Sequence, residues 1–134
     1  MEPLPRPAER VSTSLVTFDL TTELAALRES KSYRQNDHAS TTLVNRGGFG
    51  AVLVALPRRG HLKEHTARRG ITIHVLEGAV RVELEEGPLE LHATQVAALA
   101  PNMRHGVIGI EDSAFLLTMG GEVITSDTSR QSSD

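Results

Sequence analysis

The chain has 134 residues, a length that fits one domain, and its 14 Lys and Arg against 17 Asp and Glu give a formal net charge of -3. It has no cysteine, which excludes disulfides, thiolate metal sites and cysteine nucleophiles. Charges of both signs are mixed along the chain, with no basic run or stripe, so neither nucleic acid nor an anionic membrane is an expected partner.

A domain of this size buries roughly two-thirds of the surface its unfolded chain exposes. The only aromatic residues are Phe18, Tyr33, Phe49 and Phe115, so the core has to be aliphatic. No apolar run approaches the ~18 residues of a membrane span. The opening MEPLPRPAER places prolines and charges where a signal peptide needs an apolar stretch. A cytoplasmic protein is the expectation.

Residues 1–13, with Pro3, Pro5 and Pro7, read as a flexible N-terminal arm. Residues 14–120 read as the folded domain, and the polar stretch 121–134 as a disordered tail. Within the domain, SLVTFDL at 14–20 predicts a short strand. Asp19, Thr21 and Thr22 then offer N-cap oxygens, and Leu20, Leu24 and Leu27 recur at helical spacing, which predicts a short helix over 22–28. Residues 29–40, including His38, read as irregular.

From Ser40 the apolar period changes to two. TTLVNR and FGAVLVALP flank Gly47 and Gly48, a hairpin signal because glycine accepts the positive φ of tight turns. Residues 58–70 read as a charged, irregular connection holding His61 and His65. Residues 71–77 and 79–85 read as a second hairpin around Gly78. In its second arm Val80, Val82 and Leu84 alternate with Arg81, Glu83 and Glu85, the pattern of a strand with one buried and one wet face. Gly87-Pro88 turns the chain, and 89–92, 95–99, 105–110 and 114–119 read as four more short strands. About eight to nine strands with regular turn signals and one small helix indicate an all-β antiparallel sandwich or barrel.

Two segments concentrate imidazoles: GHLKEHTARRGITIHVLEG at 60–78 carries His61, His65 and His74, and LAPNMRHGV at 99–107 carries His105. These residues resemble a small single-domain cupin, a jelly-roll β-barrel family, over about residues 40–119. The resemblance is most specific at the VLEG turn and at His105. It implies a divalent metal (Zn, Fe, Mn, Ni or Cu) held inside the barrel by three histidines and a glutamate. Aligned on Gly78, His65 takes the first histidine position and His105 the third. Ala67 falls at the second histidine position and Thr72 at the glutamate. Asn102 stands where the family has a glycine. A second glycine position falls near Thr94, and the final asparagine position is Gly109.

Strand side chains alternate faces, so Thr72, His74 and Leu76 share one face and Ile71, Ile73 and Val75 the other. With Thr72 inward, His74 also points into the barrel, and His65, His74 and His105 form a three-imidazole set suited to a transition metal. The apolar outer face of Ile71, Ile73 and Val75 then needs a cover, either the N-terminal helix or a second subunit, and a homodimer is expected. Glu64 and Glu77 are expected to face solvent. Arg58, Arg59, Arg68 and Arg69 are either ordinary solvated loop charges or a lure for anions at the barrel mouth.

Three functions are compatible with this pattern. One is a metal-dependent enzyme of dioxygenase, isomerase or lyase type, acting on a small molecule through His65, His105 and His74. Another is a metal-free enzyme with His74 or His105 as general base. The third is a non-catalytic small-ligand-binding or sensing cupin.

Overall fold

Alternating strands with one apolar face pair into sheets, and the apolar faces of two sheets close on each other. The computed structural model describes residues 8–10, 15–46 and 48–120, with the side chains of residues 8–10 and of His65 outside that description. In chain order the elements are β1 (Ala8–Arg10), β2 (Val16–Phe18), α1 (Leu20–Arg28), α2 (Lys31–Arg34), β3 (Ala39–Arg46), β4 (Phe49–Leu56) and β5 (His61–Thr66). They continue with β6 (Ile71–Glu77), β7 (Ala79–Leu84), β8 (Gly87–His92), β9 (Val96–Leu99), β10 (Arg104–Gly109) and β11 (Ser113–Met119).

One sheet has five strands in the order β3-β4-β11-β6-β9, and the other four in the order β5-β10-β7-β8. Every ladder is antiparallel. Between the sheets lies one aliphatic core: Ile73, Val75, Leu56 and Phe115 from the larger sheet meet Val80, Val82 and Val107 from the smaller. The two sheets form a jelly-roll barrel. The expected strands from Ser40 onward are present at close to their expected positions, and β3 and β4 pair as the expected antiparallel hairpin, with Arg46 opposite Phe49.

Four expectations need correction. The charged stretch 58–70 is not wholly irregular, because it contains β5. HLKEHT lacks an apolar alternation strong enough to announce a strand; its pairing with β10 supplies the order. Secondly, β6 and β7 do not form a hairpin. They belong to different sheets, and Gly78 is a corner where the chain crosses between them. The helix begins at Leu20 rather than Thr22, because Asp19 itself caps it by accepting from the amides of Thr21 and Thr22. Lys31–Arg34 adds a short second helix, capped by Ser30, inside the stretch read as irregular.

Helix α1 covers the outside of the larger sheet, with Leu24 packed over Leu53, Ala55 and Ala114. Arg28 fixes its end through an ion pair to Glu77 at 2.8 Å. Ahead of the helix, Ala8–Arg10 pairs with Val16–Phe18. The other residues of the expected N-terminal arm, and the expected tail at 121–134, lie outside the described residues.

Two backbone positions generate stability predictions. Gly78 has φ +77, and a Cβ there would lie 2.3 Å from the Asp112 carbonyl oxygen and 2.6 Å from Ser113 Oγ. That hydroxyl is held in place, since it accepts from the Ala79 amide at 3.0 Å. Gly78→Ala therefore lowers unfolding free energy by more than about 2 kcal/mol in chemical denaturation, from a backbone clash added to left-handed strain. Thr94, in the β8–β9 turn, is a β-branched residue at φ +76. Thr94→Gly relieves roughly 1–2 kcal/mol of left-handed strain, partly offset by about 0.5–1 kcal/mol of glycine entropy. A net gain is expected, seen as a higher denaturation midpoint.

Candidate functional site

Strands β5 and β10 are antiparallel neighbours, and His65 and His105 are direct Cα partners in their ladder. The register slips by one residue between His105 and Val107, a bulge that locally re-aims side chains. On its other side β10 pairs with β7, His105 opposite Leu84 and Val107 opposite Val82. Val107 and Val82 belong to the barrel core, and Leu84 packs against it. His105 shares their face and is 1% exposed. Two residues distant along the sequence from one another thus meet at one level of the smaller sheet, as expected for their backbones.

His105 Nδ1 lies 3.0 Å from the Met103 carbonyl oxygen. A carbonyl only accepts, so Nδ1 donates, and in the neutral ring the lone pair sits on Nε2. The turn that supplies this carbonyl is itself anchored. Asn102 adopts φ 67, and its amide donates to the Ala67 carbonyl at 2.7 Å. The left-handed conformation expected of Asn102 is present, and Thr94, at the other expected glycine position, adopts it too. At Gly109 a Cβ would fall 2.4 Å from the Pro57 carbonyl oxygen, which leaves no room for an asparagine there.

The expected direction of β6 is reversed. Ile71, Ile73 and Val75 are the residues of this strand in the barrel core, while Leu76 packs on the outer face beneath α1. Alternation places Thr72 and His74 on that outer face with Leu76. His74 is half-buried there, flanked by Leu116 on β11 and Val96 on β9. It does not join His105, and the three-imidazole set does not assemble through it. The inward residue at the level read as the glutamate position is Ile71, 4% exposed, not Thr72. Ala67 also packs against the interior. The sequence misleads here because both faces of ITIHVLE carry apolar residues, so alternation separates the faces without saying which one is inside.

The remaining histidines lie elsewhere. His61 is exposed at the start of β5, His92 pairs with Glu90 at 2.8 Å, and His38 pairs with Asp37 at 3.2 Å. Glu64 and Glu77 face solvent as expected, each in an ion pair, with Arg104 and Arg28 respectively. The arginines divide between the two ends of the barrel. Arg69 donates to the Gly48 carbonyl at 2.7 Å near the loops of the His105 end. Arg58 and Arg59 lie at the opposite end, where the Arg59 amide donates to the Gly109 carbonyl. Among the described residues no group of three or more His, Cys, Asp or Glu is placed to hold a metal ion. A feature that the sequence reading missed is a hollow of about 310 Å³ at the rim of the His105 end, lined by Phe49, Ile71, Leu99 and Met119 among others. The one signal for it was an aromatic residue directly after a glycine turn.

Comparison with solved structures identifies the architecture. A cupin superfamily protein from Desulfitobacterium hafniense superimposes with a TM-score of 0.65 at 16% identity, over 74% of this chain and 88% of that one. A conserved protein of unknown function from Streptococcus pyogenes gives 0.62 at 18% identity, over 67% and 79%. KdgF from a Halomonas species gives 0.57 at 22% identity, over 66% and 83%. No protein-family model matches the sequence, and no curated protein matches it. At these identities the likeness shows the fold alone: the chain has the jelly-roll barrel fold of small cupin proteins.

The carbonyl contact predicts the tautomer. In nitrogen-15 correlation spectra of the neutral ring, His105 carries its proton on Nδ1. A proton on Nε2 instead would contradict the geometry.

Proposed function

We propose that this small cupin binds a small molecule inside the barrel without a resident metal, with His105 as the polar anchor and His65 opposite it in the ladder. The observation that carries the proposal is the identity of the residues at the family's ligand positions. Where the family resemblance implies three histidines and a glutamate, the positions here are His65, Ala67, Thr72 and His105, with Thr72 on the outer face and Ile71 the inward residue at its level. Aliphatic side chains donate no lone pair, and His74, the other candidate ligand, lies on the outer face. Two imidazoles are too few for a closed divalent site, which takes three or four protein ligands. The donor set does not fit the metal.

What remains is a buried imidazole whose Nδ1 is committed to a backbone carbonyl. Its Nε2 is an acceptor suited to a ligand hydroxyl or amide, and the aliphatic surroundings make such a bond count, because a polar contact is stronger in a low-dielectric interior. A ligand with one such donor on a compact apolar body suits the site. The same nitrogen also supports a second reading, a metal-free general base, because the Met103 carbonyl that holds Nδ1–H equally stabilises the ring once Nε2 takes a proton. Among the described residues no helix is long and apolar enough to cross a membrane.

The test is a screen of small phenols, alcohols and carboxylic acids by thermal shift and calorimetry, on protein purified without an affinity tag and analysed for metals. Binding is expected to survive chelator treatment. His105→Ala weakens it about tenfold or more, the cost of one lost buried hydrogen bond, while His74→Ala leaves it within about twofold. Stoichiometric metal that is lost in His65→Ala and His105→Ala would overturn the proposal in favour of a metal-dependent enzyme.

A further inference from the structure

Residues 67–70 join β5 of the smaller sheet to β6 of the larger one, across the His105 end of the barrel. This connection is bonded to three other parts of that end. The Ala67 carbonyl accepts from the Asn102 amide at 2.7 Å, and the Gly70 carbonyl accepts from the Gly120 amide at 3.0 Å. Between them, the Arg69 guanidinium donates to the Gly48 carbonyl, beside the β3–β4 turn, at 2.7 Å. Two of the three bonds run from backbone to backbone. The third depends on one side chain.

That side chain is placed unlike the paired arginines. Arg28, Arg81 and Arg104 each meet a glutamate. Among the described residues no carboxylate forms an ion pair with Arg69. It is half-buried and meets a neutral carbonyl instead. A bond from a charged donor is stronger than one between neutral groups, and partial burial strengthens it further.

The consequence reaches His105. Residues 100–103 join β9 to β10 and cross the same end of the barrel. Within them Asn102 is anchored on Ala67, and the next carbonyl, that of Met103, accepts from His105 Nδ1 at 3.0 Å. A path of bonds thus runs from the Gly48 carbonyl through Arg69, Ala67, Asn102 and Met103 to the imidazole.

We propose that Arg69 is a positioning residue for His105. Latched on Gly48, it holds the 67–70 connection against the 100–103 turn, and the turn so held keeps the Met103 carbonyl aimed at Nδ1. The use made of His105 rests on the binding proposal above. The latch is a property of the ligand-free chain, so the two ideas fail separately.

The test is solvent exchange of backbone amides and of the His105 Nδ1–H, followed by nuclear magnetic resonance without any ligand. It compares the native chain with Arg69→Ala, Arg69→Lys and, from the opposite end of the barrel, Arg58→Ala. The Ile110 amide, which donates to the Ala79 carbonyl at 2.9 Å at that opposite end, reports opening of the whole fold. Relative to Ile110, the Asn102 amide and the His105 Nδ1–H are both expected to exchange about tenfold or more faster in Arg69→Ala, as loss of a bond from a charged donor requires. Arg69→Lys, which keeps a cationic donor, is expected between Arg69→Ala and the native chain, and Arg58→Ala within about twofold of the native chain. Unchanged exchange at both sites in Arg69→Ala would overturn the proposal. Faster exchange at Asn102 with His105 unchanged would also overturn it, since Arg69 would then tie loops together without positioning the ring. So would an equal acceleration at Ile110, the sign of general destabilisation.

Discussion

The position of β10 between β5 and β7 is the constraint on which the rest depends. A strand held by ladders on both sides has no freedom of register, because a slip of one residue would exchange its inward and outward side chains. Here the β7 ladder sets Val107 against Val82 and His105 against Leu84, which places the imidazole in the aliphatic interior. The β5 ladder sets His65 opposite the same residue. The turn before β10 then supplies the Met103 carbonyl that orients the ring. Removing any one of these changes how a buried imidazole is held, which is expensive in a low-dielectric interior.

The interior around that ring differs from the pattern that the family resemblance suggests, and the difference has a simple physical content. Ala67 and Ile71 contribute surface and volume where ligand atoms would otherwise stand. Ile71 is part of the same core as Ile73 and Val75, so at this level β6 adds to packing and not to chemistry. Under the proposed function, a barrel with His105 inside and aliphatic walls would select its ligand by shape and by one or two hydrogen bonds. On that proposal a bare cation, which needs several donors converging within about 2 Å, would be poorly held.

Much of the fold was legible because it rests on local rules. The strands after Ser40 follow from alternation, and the β3–β4 hairpin from Gly47 and Gly48; a short helix follows from the spacing of Leu20, Leu24 and Leu27, though it starts two residues earlier than expected. The left-handed turn at Asn102 was likewise visible in the residue type. What was not legible depends on long-range pairing. HLKEHT becomes a strand only because β10 lies beside it, and Gly78 joins two sheets rather than two arms of a hairpin, because Ala79 continues into the smaller sheet. The site was half legible for the same reason. His65 and His105 meet through a ladder that the motif spacing anticipates, whereas the direction of His74 required knowing which face of ITIHVLE the helix covers. Leu24 decides that by packing on the side of Leu76 and Leu116.

The most direct test of this account asks whether positions 67 and 71 face His105 across the interior. Competitive zinc titration compares the native chain with Ala67→His/Ile71→Glu and, as a control for the outward face, Ala67→His/Thr72→Glu, each first shown to be folded. Ala67→His and Ile71→Glu add two inward donors to His105, and three or more protein ligands suit zinc. The account predicts about hundredfold or more tighter zinc binding, one ion per chain, in the variant carrying Ile71→Glu than in the native chain or the control carrying Thr72→Glu. Tight stoichiometric zinc in the native chain, or equal gains at 71 and 72, would contradict it.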